Sequence, residues 1–299
     1  MKTISVQICS YNRKEILEKV LTTLGSQTLS PCCYEVVLVD DGSTDGTGEM
    51  VKGLRVPYSI TYHHQVNSGL ATARNAGLSR CTGDIILYID DDVLADPCLL
   101  SEHLAAHRKH PDSVIKGWVN HVEAPEIPRE PRFTMQDVST AFFWTSNVSV
   151  GRHFLEKVGG FDESFKEYGW EDLELGYRLR KAGLRSRFWK KAVAYHYKRK
   201  PAPSDLPAMC RQAEAKGRTA VLFCRKHPTF RIMLATGIWG LPLAMDELLR
   251  AGGLEAFLRR LLARRESETL SGLSLWSARQ IANFSYFRAI KKTLRGETI

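Results

Sequence analysis

The fold class is indicated by one segment of the chain, Gly83-Asp84-Ile85-Ile86-Leu87-Tyr88-Ile89-Asp90-Asp91-Asp92-Val93-Leu94. Five apolar or aromatic residues, 85–89, run directly into three consecutive aspartates. A short apolar run bounded by polar residues is typical of a strand that is buried on both faces of a parallel sheet. Ligands of open α/β sheets bind outside the carboxyl ends of the strands. The segment therefore predicts an α/β fold with the aspartates at the ligand-binding edge.

Three adjacent carboxylates can serve as a cation site or form an acidic turn. Their negative charges repel one another and resist removal from water. A divalent cation would relieve both costs, and oxygen ligands suit magnesium or manganese. In the alternative interpretation the triplet is an acidic turn, and Asp96 and Pro97 open the next helix. The segment alone favours neither interpretation.

The composition is that of a globular protein in a reducing compartment. The chain has 299 residues, 43% of them hydrophobic, which is enough for one large domain or two small ones. It contains seven cysteines but no Cys-x-x-Cys pair, which argues against a disulfide framework and against a zinc knuckle. The N-terminal residues read as neither a signal peptide nor a membrane span. We therefore expect a cytoplasmic protein.

The net charge of +9 is unevenly distributed along the chain. Residues 1–180 contain 18 lysines and arginines against 25 aspartates and glutamates, whereas residues 181–299 contain 24 against 8. A basic C-terminal part favours an anionic partner, which can be a membrane surface, a phosphate-bearing substrate or nucleic acid. Nucleic acid is the weakest of the three, since only the basic tail suggests it.

Strands and helices alternate through the first hundred residues. Strands are predicted at 3–9, 34–39 and 58–63 ahead of the acidic strand, and a helix follows each of the four. This alternation predicts parallel βαβ units with right-handed crossovers. The second strand ends in Asp40-Asp41, at the same predicted sheet edge as the triplet, which favours the binding-site interpretation. No Gly-x-Gly-x-x-Gly follows the first strand, so a dinucleotide site is not indicated.

Several other side chains have both a functional and a structural interpretation. The ring of Tyr11, where the first strand ends, can stack on a base or belong to an ordinary turn. Glu171 and Asp172 fall in the first turn of a predicted helix, where the helix dipole alone favours acidic residues. His103 and His107 have the i, i+4 spacing of a metal pair, but no HExxH motif surrounds them. We expect these two histidines on a solvated helix face.

Six segments together resemble the inverting glycosyltransferases of family 2, which have the GT-A fold. The resemblance covers roughly residues 3–200, and the order and spacing of the segments are more specific than any one of them. The acidic triplet resembles the family's Asp-x-Asp motif, and Trp170-Glu171-Asp172 resembles its Glu-Asp motif. One departure is Cys9, where many relatives have threonine or another small polar residue. The segments are VQICSYNR (6–13), VVLVDDGSTDGT (36–47), NSGLATARNAGL (67–78), GDIILYIDDDVL (83–94), SNVSVGRHFLEKVGGFDESF (146–165) and YGWEDLELGYRL (168–179).

The resemblance implies a GT-A catalytic domain at residues 1–200, with a Rossmann-like, mostly parallel central sheet flanked by helices. It implies Mn²⁺ or Mg²⁺ held by Asp90, Asp92 and His196, as a Lewis acid on the leaving diphosphate. Asp172 would be the general base for the acceptor hydroxyl, which gives inversion at the anomeric carbon. The other implied site residues are nucleotide contacts from Cys9, Tyr11, Asp41, Arg74, Asp90 and Asp91, a phosphate lid of Lys198, Arg199 and Lys200, and acceptor contacts from Trp144, Asn147, Trp170 and Glu171.

The implied donor is a nucleotide diphosphate sugar. The carboxylate of Asp41 would accept a hydrogen bond from the ring N–H of uridine or thymidine, although guanine carries a ring N–H as well. The implied acceptor is a hydroxyl of a glycan, a lipid-linked glycan or a glycolipid. One rival is a sugar-1-phosphate nucleotidyltransferase, but residues 11–14 lack the glycines of the loop that those enzymes usually carry. The other rival is a non-catalytic protein that only binds a nucleotide sugar.

Residues 201–299 are predicted to form a helical, basic extension. Residues 232–245 are uncharged but contain Gly237, Gly240 and Pro242, so they suit a core or interfacial segment better than a membrane span. Apolar stripes at 254–265 and 276–295 are accompanied by basic residues, a pattern typical of helices on an anionic membrane surface. The alternative is that these helices pack on the catalytic domain. We expect peripheral binding to the cytoplasmic face of a membrane.

Overall fold

The computed structural model describes residues 3–132, 134, 137, 139–263 and 269–297. The chain divides into two compact units. The first comprises Met1–Lys166 and Asp172–Lys198, and the second comprises Glu167–Glu171 and Arg199–Ile299. The first unit contains the β-sheet, and the second is helical.

A mixed sheet of eight strands forms the centre of the first unit. The strands are β1 Ile4–Ser10, β2 Tyr34–Asp40, β3 Ser59–His64, β4 Ile85–Tyr88, β5 Val93–Ala95, β6 Ser113–Val122, β7 Val148–Gly151 and β8 Arg185–Tyr197. Their order across the sheet is β3-β2-β1-β4-β7-β6-β8-β5. The β3-β2-β1-β4 half is parallel, as the strand–helix alternation predicts. β7 runs antiparallel to β4 and β6, and β5 antiparallel to β8, so the α/β class is confirmed with a mixed second half.

The helices that accompany the sheet bury it on both faces. Within the described residues up to 198 they are α1 Lys14–Leu24, α2 Thr47–Gly53, α3 Leu70–Leu78, α4 Leu99–Lys109, α5 Arg152–Val158 and α6 Glu171–Lys181. All seven residues of β2 are buried. Val36 and Leu38 join the apolar cluster that contains α1, whereas Val37 joins the cluster on the opposite face. Since side chains alternate along a strand, a continuous apolar run is what a two-sided core requires.

The topology gathers polar residues at one edge of the sheet. Tyr11, Asp41 and Asp90 follow the carboxyl ends of the parallel strands β1, β2 and β4. β5 begins immediately after the acidic triplet and pairs with β8, with Val93 opposite His196. The backbone N–H of Tyr197 donates to the carbonyl of Asp92 (2.9 Å). This pairing brings residue 196 to the triplet from a hundred positions away.

The histidines of α4 are buried, so the prediction of a solvated face is wrong. Nδ1 of His103 is 2.7 Å from Oγ of Ser149, and its Nε2 is 2.8 Å from Oδ1 of Asn147. Nε2 of His107 is 2.8 Å from the same Ser149 hydroxyl. α4 packs on β6 and β8, which covers this side of the helix. Burial lowers the pKa of His103 to about 4 and that of His107 to about 3, so both rings are neutral at pH 7.

The second unit is built from five described helices. They are α7 Leu206–Lys226, α8 Phe230–Thr236, α9 Gly240–Ala251, α10 Leu254–Ala263 and α11 Gly272–Arg295. α7 and α11 pack along each other. Gly217 permits this close approach, because a Cβ there would lie 2.5 Å from the carbonyl oxygen of Tyr286. The second unit is therefore built around the closely packed pair of α7 and α11.

The two stripes predicted to face a membrane are partly internal. Leu258 and Leu262 of α10 and Phe284 of α11 belong to one buried cluster. Glu255 pairs with both Arg259 (2.8 Å) and Arg288 (2.7 Å), which ties the polar sides of the same helices together. Part of each stripe is thus core, because a hydrophobic face in the sequence does not reveal what covers it. Arg264 and Arg265, part of the predicted basic side, lie outside the described residues.

One segment of the second unit, Phe230–Ala251, is long and apolar enough to cross a membrane by length and composition alone. Only 17% of its most apolar window is buried. In the structure this segment is two helices, α8 and α9, separated by a turn in which Gly237 has a positive φ of 70°.

Candidate active site

Three side chains that commonly bind metals meet where β4 ends. One ligand atom from each of Asp90, Asp92 and His196 lies within 4.8 Å of the other two. Nε2 of His196 is 3.0 Å from Oδ1 of Asp92, but this contact lacks hydrogen-bond geometry. Within the described part of the chain, the buried Oδ1 of Asp92 and Nδ1 of His196 have no hydrogen-bond partner. Buried polar atoms without partners are costly, so this donor set fits a divalent cation.

Arg13, which was not predicted at the site, is the main cation beside these carboxylates. Its Nη1 lies 2.7 Å from Oδ2 of Asp92 and 3.2 Å from Oδ1 of Asp91. Burial acts to raise the pKa of Asp92, but contacts with His196 and Arg13 outweigh it and hold that pKa below its usual value. Asp92 is therefore ionised at neutral pH.

Asp91 points into the protein rather than toward the cation site. Its Oδ2 accepts a hydrogen bond from Oγ of Ser10 (2.7 Å), and the residue is 7% exposed. Burial raises the pKa of Asp91 to about 7, although the charge of Arg13 opposes the shift. Asp91 thus links the end of β1 to the triplet.

Asp90 is held by residues just before β7. Its Oδ2 accepts a hydrogen bond from Oγ of Ser146 (2.5 Å), and its Oδ1 is 3.9 Å from Nη2 of Arg74. Arg74 is buried, donates to Oγ1 of Thr145 (2.6 Å) and lies 5.2 Å from the ring centre of Phe161. Arg74 was predicted at the site, whereas the hydroxyls of residues 145 and 146 were missed. In the sequence, Thr145 directly precedes the matched segment 146–165 and Ser146 is its first residue, which was the signal available for these hydroxyls.

The end of β1 exposes an aromatic ring beside a partly buried thiol. Tyr11 is 51% exposed, as stacking on a base requires. The turn is fixed by Asn12, which has a φ of 52° and bonds through its N–H to Ser43 Oγ and through Oδ1 to the N–H of Thr44 (2.8 Å each). Burial raises the pKa of the Cys9 thiol to about 12, so it remains a neutral side chain.

Asp41 is already engaged by the segment that precedes α3. Its Oδ1 accepts hydrogen bonds from Nε2 of Gln65 (2.8 Å) and the N–H of Ser68 (2.9 Å), and its Oδ2 accepts one from the N–H of Gly69 (3.1 Å). An ionised carboxylate offers about four acceptor positions. With three hydrogen bonds already accepted, Asp41 can accept about one more, for example from the ring N–H of a base.

The candidate base begins α6. Oδ1 of Asp172 accepts a hydrogen bond from the N–H of Leu173 (2.7 Å), and Oε2 of Glu171 accepts one from the N–H of Gly169 (3.0 Å). Both carboxyl groups are buried, with 7% and 3% exposure. These bonds satisfy backbone N–H groups at the start of a helix, as expected if Glu171 and Asp172 have a structural role. The assignment of Asp172 as the base stays a prediction.

The four expected acceptor residues differ in surroundings. Trp144 is partly exposed, with its ring centre 6.5 Å from that of His196. Asn147 uses its amide inside the fold, since it contacts His103 and donates to the carbonyls of Trp118 and Ala192. In the second unit, Nε1 of the buried Trp170 donates to the carbonyl of Lys216 (3.1 Å). Of the two tryptophans expected to contact the acceptor, Trp144 therefore lies near the cluster of Asp90, Asp92 and His196.

The basic residues expected to form a lid follow β8 directly. The N–H of Lys198 bonds to the carbonyl of Val122 (2.9 Å), which continues the sheet pairing. Arg199 forms an ion pair with Asp205 (2.9 Å) in the second unit. Asp205 also accepts from the N–H of Ala202. The lid role stays a prediction.

Comparisons with known proteins point to one family. The chain is 35% identical over 219 residues to a validoxylamine A glucosyltransferase of Streptomyces hygroscopicus subsp. limoneus, covering 60% of this chain and 48% of that protein. It is 27% identical over 286 residues to the uncharacterized glycosyltransferase YfnE of Bacillus subtilis, covering 76% and 71%. The chain thus spans about half the length of the glucosyltransferases that it matches.

Solved structures share the fold at low sequence identity. A mannosyltransferase from Pyrobaculum calidifontis, in complex with GDP-Man and Mn²⁺, superposes with a TM-score of 0.63 at 18% identity, over 99% of this chain and 88% of that one. S. aureus TarS in complex with UDP gives 0.56 at 22% identity, over 99% and 92%. The expected GT-A fold is confirmed. The sequence profile described as Glycosyl transferase family 2 matches residues 5–166, more than half of the chain. The chain belongs to glycosyl transferase family 2.

Proposed function

We propose that this chain is a metal-dependent inverting glycosyltransferase. It moves a sugar from a nucleotide diphosphate sugar, preferably a UDP-sugar, to a hydroxyl of a glycan, a lipid-linked glycan or a glycolipid. The observation that carries the proposal is the cluster of Asp90, Asp92 and His196 at the carboxyl end of β4, in which the buried Oδ1 of Asp92 lacks a hydrogen-bond partner among the described residues. Family membership supports the reaction class.

Asp90, Asp92 and His196 would hold Mn²⁺ or Mg²⁺. Two carboxylates and one neutral imidazole suit such ions. When bound, the ion supplies Lewis acidity that stabilises the charge developing on the leaving diphosphate. Arg74 lies beside Asp90 and is buried, so it is positioned to add a fixed positive charge on the same side. The Mn²⁺ in the mannosyltransferase complex supports this choice of metals.

The nucleotide would lie across the ends of β1, β2 and β4. The exposed ring of Tyr11 stacks on the base, Asp41 accepts its ring N–H, and Cys9 and Asp90 line the neighbouring surface. The buried Asp91 would act indirectly, through its hydrogen bond with Ser10. Structural neighbours carry UDP, UDP-GlcNAc and GDP-Man, which supports a nucleotide sugar as donor. The protonated Cys9 thiol makes weaker hydrogen bonds than the hydroxyl expected there.

Asp172 would take the proton of the attacking hydroxyl. The N–H of Leu173 donates to Oδ1 of Asp172 and so orients this carboxyl group at the start of α6. The proposed acceptor residues are Trp144, Asn147, Trp170 and Glu171. The side chains of Asn147 and Trp170 donate to backbone carbonyls, so these two would act on the acceptor by positioning neighbouring residues. A single base and no covalent intermediate give inversion.

We further propose a catalytic domain at residues 1–200 and a helical, basic region at 201–299. Lys198, Arg199 and Lys200, at their junction, would close over the diphosphate as a lid. The protein would work in the cytoplasm, on the cytoplasmic face of a membrane. Its anionic surface would attract the basic residues that dominate positions 181–299.

The test is a screen of UDP-, GDP- and dTDP-sugars by thermal shift, with and without Mn²⁺. A ligand present at 100 times its dissociation constant should stabilise the fold by about 2.7 kcal/mol. Product analysis with the stabilising sugar then separates the rivals. Release of nucleoside diphosphate supports the proposal, release of pyrophosphate supports the nucleotidyltransferase, and binding without turnover, even with candidate acceptors, supports the non-catalytic protein.

A further inference from the structure

The helix α9 in the second unit exposes large apolar side chains and buries one of its charges. Leu241, Met245 and Leu248 are 58%, 49% and 73% exposed, and their spacing places them on one face of the helix. The buried side chain of α9 is Asp246, at 4% exposure. Its Oδ2 is 2.8 Å from Nζ of Lys291 and 3.2 Å from Nε of Arg250. Surface helices of globular domains have the reverse arrangement.

The helices on either side of α9 in the chain also expose large apolar side chains. On α8 these are Phe230 and Leu234, at 69% and 45% exposure, and on α10 it is Phe257 at 61%. Such a concentration within 28 positions exceeds the scattered single apolar residues that a monomer's surface normally shows. We call these side chains the apolar face, which comprises Phe230, Leu234, Leu241, Met245, Leu248 and Phe257.

The exposed charges around the apolar face are mainly positive. Between residues 225 and 263 the exposed cationic side chains are Arg225, Lys226, Arg231, Arg259 and Arg260. Of the acidic residues in this range, Asp246 is buried in ion pairs and Glu255 is held by two arginines. Glu247 is the exposed exception. Apolar side chains with an arginine- and lysine-rich border are complementary to an anionic lipid surface rather than to a second basic copy of this chain.

The geometry of α9 favours a helix that lies in the membrane interface over one that spans the bilayer. α9 has 12 residues, about 18 Å of helix, against a hydrocarbon core of about 30 Å. The chain turns at Gly237, between α8 and α9, and the ion pair of Asp246 with Lys291 lies midway along α9. We infer that α8, α9 and the start of α10 form a membrane-docking element that inserts the apolar face among anionic lipid headgroups. This deepens the proposed function and rests on it, since it names the surface that would bring the enzyme to a lipid-borne acceptor.

The experiment is flotation of the full chain with vesicles of phosphatidylcholine alone or with added phosphatidylglycerol, at low and high salt. Wild type should float with the anionic vesicles, and part of the binding should survive high salt because apolar insertion is not screened. Leu241→Asp with Leu248→Asp should reduce the partition coefficient by about 100-fold, since each buried leucine contributes about a ten-fold factor. Arg231→Gln with Arg260→Gln should weaken binding mainly at low salt.

The matched controls are Phe188→Asp, which changes an apolar side chain of the first unit that is 50% exposed, and Arg55→Gln, which removes an exposed cation there. Both should float like wild type. Flotation that the Leu241/Leu248 double variant leaves unchanged overturns the inference. So does a wild-type chain that self-associates without vesicles and becomes monomeric in that variant, because the face would then belong to a second copy.

Binding of UDP and Mn²⁺ to the same preparations separates this inference from the proposed function. A double variant that binds both like wild type but no longer floats supports the docking element and shows that the variant is folded. A wild type that floats but binds neither UDP nor Mn²⁺ removes the proposed function and leaves the docking element standing.

Discussion

Nη1 of Arg13 lies 2.7 Å from Oδ2 of Asp92, on the carboxylate oxygen that does not face His196. The guanidinium thus holds one oxygen of Asp92, while Oδ1 lies beside the imidazole without a hydrogen-bond partner among the described residues. A fixed cation at this distance both orients the carboxylate and opposes a second cation at the other oxygen. Arg13 is therefore expected to set the affinity for the metal.

We predict that Arg13→Met binds Mn²⁺ about ten-fold more tightly than wild type in the absence of nucleotide, because a like charge close to the ion is removed. Isothermal titration with Mn²⁺ measures this. Arg13→Lys is the matched control, since it keeps the charge and should stay near the wild-type affinity. If the lysine variant binds Mn²⁺ as tightly as the methionine variant, charge is not the cause.

We predict that Asp92→Ala abolishes detectable Mn²⁺ binding and that His196→Ala weakens it by about 10- to 100-fold. Asp92 supplies a buried ionised oxygen, whereas His196 supplies an imidazole nitrogen from β8. Electron paramagnetic resonance of free Mn²⁺ gives the affinities without an activity assay. His64→Ala, at an exposed site on β3, is the control. Equal Mn²⁺ binding by wild type and the Asp92 variant would remove this residue from the metal site.

The buried histidines predict a stability that falls in acid. The pKa of His103 in the folded protein, about 4, is below its ordinary value of 6.5. Between these two pH values His103 is protonated in the unfolded chain but not in the folded protein. The free energy of unfolding therefore has its highest value above pH 6.5 and decreases as the pH falls toward 4. The loss at pH 5 should be about 2 kcal/mol from this residue. Urea unfolding at pH 7.5 and pH 5 measures it.

His103→Gln should remove about half of the pH dependence that the two buried histidines cause, because glutamine does not titrate and can still bond to Ser149 or Asn147, whereas His107 still titrates. His64→Gln, at an exposed position, should leave the pH dependence as in wild type. A His103 variant with the full wild-type loss of stability at pH 5 would show that other groups cause it.

The sequence predicted the carboxylates of the site and missed the side chains that reach them by tertiary contact. The acidic triplet after an apolar strand was sufficient to expect Asp90 and Asp92 at a sheet edge. Arg13 and Ser146 reach the triplet across 79 and 56 positions, and no local pattern indicates such pairs. Their roles follow from which strands are neighbours, and β7 inserts antiparallel where an alternating pattern predicts another parallel strand.

Helical periodicity was also insufficient to say which face is covered. His103 and His107 read as a polar, solvated pair, yet α4 packs on β6 and β8 and encloses them with Ser149. Conversely, residues 254–262 read as an outward apolar stripe, and Leu258 and Leu262 are core. The spacing of apolar residues along a helix gives the direction of its apolar face, but the partner element decides whether that face is inside.

The last prediction concerns the proposed base. Asp172→Asn should fold normally and bind Mn²⁺ and donor like wild type, because the amide keeps the size of the carboxyl group and can still accept from the N–H of Leu173. Sugar transfer should slow by about 10²–10⁴-fold, since the amide cannot take the proton of the attacking hydroxyl. The loss should appear in kcat rather than in donor affinity, because the base acts only as the hydroxyl attacks. Glu171→Gln is the neighbouring control and should cost much less. Near wild-type transfer by Asp172→Asn with an inactive Glu171→Gln would move the base to Glu171, and activity in both variants would leave the pair as a helix-start feature with the base elsewhere.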